Sequence, residues 1–124
     1  MSTVGAIVVG VFVAVGLAEM AMTGIAAMLG LSSWRRRFAE LTRVDPPAAL
    51  RLTVGALAGV SAVAMGVGYA RPVWWVIGGT LLLAVTAPIL VRQIAIGTRG
   101  SALTAYTLFT VCGVVALTAG ASAV

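Results

Sequence analysis

The chain has 124 residues, of which 61% are hydrophobic and 9% charged, with a mean hydropathy of +1.14. That balance leaves too little polar surface for a water-soluble domain and asks for lipid as the solvent, in a single membrane domain over residues 1–124. Eight basic residues against three acidic ones would suggest nucleic acid in a soluble protein; here the arginines cluster between apolar runs, where lipid headgroups meet water, so membrane lipids are the expected partner and nucleic acid is not.

The first apolar run, Val4 to Leu31, holds one charge, Glu19. At 1.5 Å per residue it reaches about 42 Å, more than the roughly 30 Å of hydrocarbon, so it crosses with tilt or protrudes. No Arg or Lys precedes it and it is longer than a signal-peptide core, which predicts a permanent helix. Residues 32–51 then form the one long connection. Trp34, Phe38 and Leu41 recur there at helical spacing while Arg35, Arg36, Arg37 and Glu40 point elsewhere, predicting a short helix along the membrane surface, with Arg35, Arg36, Arg37 and Arg43 contacting headgroups. Asp45, followed by Pro46 and Pro47, is expected to be the N-cap opening the second span.

That second span is Leu52 to Tyr69, and the third is Val73 to Val91. Ala70, Arg71 and Pro72 force a turn between them and make them antiparallel neighbours. Pro88, with Thr86 nearby, is expected to kink the third helix. After Gly97 and Gly100 break the pattern, Ala102 to Val124 supplies the fourth span. The expected fold is all-α, an integral membrane bundle of four transmembrane helices. Arg35, Arg36, Arg37, Arg43, Arg51, Arg92 and Arg99 fall in the first and third connections against Arg71 alone opposite, so residues 32–51 and 92–101 are expected in the cytoplasm and both termini outside an inner, plasma-type membrane. Trp74 and Trp75 then suit an outer aromatic belt.

Chemistry is scarce. Without histidine or lysine the chain lacks the usual haem ligand, the commonest general base and a Schiff-base amine. Cys112, the single cysteine, allows no disulfide within the chain and no cysteine zinc site. No enzymatic activity, catalytic residue, metal or cofactor is therefore expected. Glu19 stands out, because a charge at the centre of a span costs roughly 2.5 to 3.5 kcal/mol on insertion scales. Thr23 shares its face, while Ser61, Thr80 and Thr110 fall at a similar depth and are candidate hydrogen-bond partners; no arginine is expected within the spans. Two readings follow: a proton or cation site, or, as the preferred one, a neutral carboxyl bonded to hydroxyl or backbone groups. Gly55 and Gly59 form a GxxxG, and Gly10, Ala14 and Ala18 repeat small residues at the same spacing, which predicts close helix packing, within the chain or between copies in a homo-oligomer.

From Ala48 to Gly97 the chain resembles the middle of the DoxX-like family of small four-helix membrane proteins. Leu50 and Arg51 leading into Gly55, a second helix of small residues ending at Gly66 and Gly68, a tight turn, and a third helix closing in a polar pair before Gly97 carry the likeness. It implies a four-helix bundle that often serves as an accessory membrane protein; the histidine frequent near the end of that family's third helix is replaced here by Arg92 and Gln93. Leu17, Ala18 and Glu19 also resemble the first helix of the small multidrug resistance family, which would make Glu19 a site exchanging protons for cationic drugs. Against that family's pattern stand the long first connection and the few aromatic residues deep in the spans, Phe12, Tyr106 and Phe109. The primary expectation is a non-catalytic accessory subunit of a larger integral membrane complex, such as a transporter, with an actinobacterial lipid importer of the Mce type as one candidate that no residue specifies. The alternatives are a proton-coupled small multidrug transporter using Glu19 and a lipid- or quinone-binding bundle.

Overall fold

The computed structural model describes residues 2–97 and 100–123; Arg99, counted above among the loop arginines, and Val124, at the end of the fourth apolar run, lie outside them. Its five helices are α1 (Thr3–Leu29), α2 (Ser32–Thr42), α3 (Ala48–Gly68), α4 (Trp74–Ala95) and α5 (Ser101–Ser122). All but α2 are long and apolar enough to cross a membrane, so the chain is an all-α, four-span membrane bundle. At 21 or 22 residues, α3, α4 and α5 each match the hydrocarbon thickness, and α1, at 27, exceeds it by some two turns. Around the bundle the order is α1, α3, α4, α5, with the α1–α5 seam much thinner than the other three. Over one end, against α1 and α4, lies α2.

Helix ends follow local chemistry. Ser2 caps α1 by accepting the Gly5 amide at 3.0 Å, and Gly30 closes it in the left-handed conformation, φ 65°, which glycine adopts without steric cost. Arg51, one turn into α3, completes that terminus by donating to the carbonyls of Ala27 and Met28 at 2.6 and 3.0 Å, a cation at the negative end of a helix. Arg92 does the same for α2, its Nε donating to the Thr42 carbonyl at 2.9 Å. As the spacing of Trp34 and Phe38 predicts, α2 buries Phe38 and partly buries Trp34 and Leu41, and its arginines are exposed.

Asp45 does not cap α3. It is exposed in the connection, and the N-cap is Pro47, with φ −67° and ψ 161°. Each proline disfavours the α region for the residue before it, Asp45 and Pro46 here, and the helix begins only at Ala48. The polar pair Arg92 and Gln93 lies in the last turn of α4, which ends at Ala95, shortly before Gly97, and has Pro88 inside it. The tight turn over residues 70–72 is as expected, closed by the Ala70 and Arg71 amides on the Val67 carbonyl. Of the two tryptophans that follow, only Trp74 is exposed; Trp75 turns onto Gly68 and gives its indole N–H to the Met65 carbonyl at 2.9 Å.

Between apolar helices in lipid the attraction comes from close van der Waals fit, and small residues set the distance. A methyl group at Gly24 would come within 3.0 Å of the Gly59 nitrogen, so the GxxxG of α3 seats α1 within the chain. Gly78 lies against Met65 and the Ser61 carbonyl, and Gly79 against the backbone of Gly113 and Leu117. Val13, Met20, Ala58, Met65, Leu82 and Ala116 fill the core. Of the other small-residue repeat, Gly10 lies beneath Tyr69, whose hydroxyl donates to its carbonyl at 2.6 Å, while Ala14 and Ala18 face outward.

Candidate functional site

Most hydroxyls in the spans are consumed locally. Thr53, Thr80, Thr86, Thr107, Thr110 and Thr118 each donate to the carbonyl one turn earlier, which hides a polar group from lipid. Ser61 instead bridges helices, donating to the Gly78 carbonyl on α4 at 2.7 Å. Ser61, Thr80 and Thr110, expected as partners of Glu19, therefore make other bonds. Thr110 meets Thr86 across the α4–α5 seam at 3.4 Å. Thr23 does reach Glu19, its hydroxyl donating to Oε1 at 3.2 Å one turn along α1.

Glu19 opens into a cavity of about 430 Å³ bounded by α1, α2 and α5, where the bundle is least tightly packed. From α1 come Glu19, Met22 and Thr23; from α5, Tyr106 and Phe109; from α2, Ser33, Trp34, Arg37 and Phe38. The aromatic rings form two pairs. Trp34 and Phe38 have centroids 5.3 Å apart with planes tilted by 32°, and Tyr106 and Phe109 stand edge to face at 5.8 Å.

Two features of this site escape linear reading. Arg37 belongs to a run of arginines expected on headgroups, yet α2 folds back so that Arg37 alone of the three borders the carboxylate's cavity, reaching it from outside the four long helices. The two pairs of rings are separated by about seventy positions in the chain, so the spans look poor in aromatics until α2 is brought in. The available signal was the Trp34–Phe38 spacing, which gives α2 an apolar face that has to cover something. Arg35 and Arg36 are exposed beside it, and Arg43 follows α2 with φ 57°.

Chemically, the cavity joins a carboxylate, a guanidinium and aromatic faces, a set that binds charge and apolar surface. No cluster of metal-ligating side chains occurs among the described residues. One further group is notable: Gln93, fully buried on α4, has neither amide oxygen nor nitrogen bonded among the described residues. Comparison with known proteins adds no relative, since no family model, no curated protein and no solved structure matches the chain.

Proposed function

We propose that this chain is a non-catalytic binding bundle of the membrane, taking an amphiphile that carries a cationic group for Glu19 and an anionic group for Arg37. The observation behind it is the meeting of Glu19, Arg37 and four aromatic rings in one cavity of about 430 Å³, a size that suits a small ligand. Aromatic faces attract cations, and a carboxylate in a medium of low dielectric gains most from a bound counter-charge. Opposite charges on the lining make a ligand of no net charge the best complement. Such a role agrees with the lipid-binding alternative raised by the sequence, and the arginine-rich end that bears α2 is assigned to the cytoplasm. Native mass spectrometry of the protein purified in mild detergent tests it: the wild type should retain a small molecule that Glu19→Gln retains at least about tenfold less, the loss expected for one charged hydrogen bond. Equal retention by both, or none by the wild type, ends this reading. Proton-driven transport, implied by the resemblance of the first helix to small multidrug resistance proteins, would use the same carboxyl and would show as substrate uptake driven by a pH gradient in vesicles.

The accessory-subunit reading is favoured by a different observation. On the outer face of α1 and α3, a trough of about 490 Å³ is floored by Gly24, Gly55 and Gly59 and is apolar throughout, a shape that receives a helix of another chain. A Cβ at Gly59 meets nothing within 4 Å, so Gly59→Leu starts its side chain in open space and should fill the trough. In pull-downs with mild detergent, the wild type should bring down a stoichiometric larger complex and Gly59→Leu should not. Recovery of the wild type free of any large partner removes the accessory role.

A further inference from the structure

Phe38 also lines a second cavity, of about 330 Å³, left between α3 and α4. Leu57 and Ala84 border its deep end, and Thr42 and Arg92 its end beneath α2. From Ala84 to Arg92 the lining runs about 12 Å along the helix axis, with Val54, Val85 and Ile89 as walls. The hydroxyl of Thr53, which also lines it, is turned back to the Ala49 carbonyl at 2.7 Å, so the trough is apolar up to its end at α2.

We propose that this groove is a binding site for an anionic phospholipid of the leaflet on the α2 side, with the phosphate on Arg92 and one acyl chain along Val54, Leu57, Val85 and Ile89. A guanidinium carries five N–H donors, of which the bond to the Thr42 carbonyl uses the one on Nε. That bond fixes the side chain in place at the mouth, so little freedom is lost when a phosphate docks on its planar fork. An apolar trough that ends in an anchored cation at headgroup depth complements a lipid from end to end: the chain meets aliphatic walls and the negative charge meets the arginine. A choline lipid would fit the trough equally well, but its own cation would offset the attraction at the mouth. The site depends on the membrane fold and is independent of the reading given to Glu19.

Delipidated full-length protein in detergent is titrated with phosphatidylglycerol or phosphatidylcholine of the same acyl chains, and retained lipid is read by native mass spectrometry. The wild type should hold one phosphatidylglycerol at least about tenfold more tightly than phosphatidylcholine. Ala84→Trp, which fills the exposed deep end of the trough, should abolish retention of both lipids. Arg92→Gln should erase the preference and Arg92→Lys should keep most of it, which separates loss of charge from loss of the contact to α2. The exposed pair Arg35→Gln and Arg36→Gln should leave the preference unchanged. Equal retention of the two lipids by the wild type, or undiminished phosphatidylglycerol on Ala84→Trp, overturns the proposal, as does a preference lost with Arg35 and Arg36 instead of Arg92.

Discussion

Glycine has opposite meanings at different places on these helices. Gly79 lies where α4 meets α5, and a Cβ there would sit 2.7 Å from both the Gly113 oxygen and the Leu117 nitrogen, backbone atoms that cannot swing aside. Gly59 has open space in the same direction. Gly79→Ala should therefore force the two helices apart at a cost of about 1 to 3 kcal/mol. Gly59→Ala should stabilise by up to about 1 kcal/mol by removing a helix-weakening glycine. Thermal unfolding in detergent measures both, and a Gly79→Ala protein as stable as the wild type would contradict the close seam. From sequence the two glycines look alike. The GxxxG motif draws attention to Gly55 and Gly59, while Gly79, Gly113 and Gly120, which hold α4 against α5, follow no such short repeat on one helix.

At the scale of elements, arginines join helices that are distant in sequence. Arg51 ties the end of α1 to the start of α3, and Arg92 ties the end of α2 to the last turns of α4. Arg51→Met keeps the aliphatic stem and removes the donor, leaving the Ala27 and Met28 carbonyls without it. It should lower stability by about 1 to 2 kcal/mol, seen as a reduced melting temperature in detergent, and an unchanged melting temperature would mean that water or lipid replaces the guanidinium at no cost. The four long apolar helices and the short helix α2 were legible in the sequence because they rest on apolar runs and helical periodicity. The start of α3 was not, because a run of two prolines outweighed the capping tendency of Asp45. Nor was the inward turn of Trp75, set by the gap that Gly68 leaves for its ring.

For the whole molecule, the arrangement of the four long helices follows from hydropathy and two short connections, and that much the chain declares openly. The cavity was only half legible. Glu19 and Thr23 are marked by position on one helix, whereas Arg37, Trp34 and Phe38 reach them through the fold of α2, whose helical spacing shows an apolar face but not what that face covers. Orientation is tested directly by replacing the buried Cys112 with alanine and introducing single cysteines. With the exposed Ser33 and Arg71 as sites, a membrane-impermeant maleimide applied to intact cells should label Arg71→Cys and spare Ser33→Cys. The reverse pattern would turn the bundle over.

One side chain belongs to two chambers. Phe38 bounds both the pocket of Glu19 and the groove of Arg92, so its ring is a shared partition, mounted on a short helix whose far end hangs from Arg92. A partition cannot give way to one occupant without reshaping the room of the other. Whatever free energy passes between the two tenants through it must be the same in both directions.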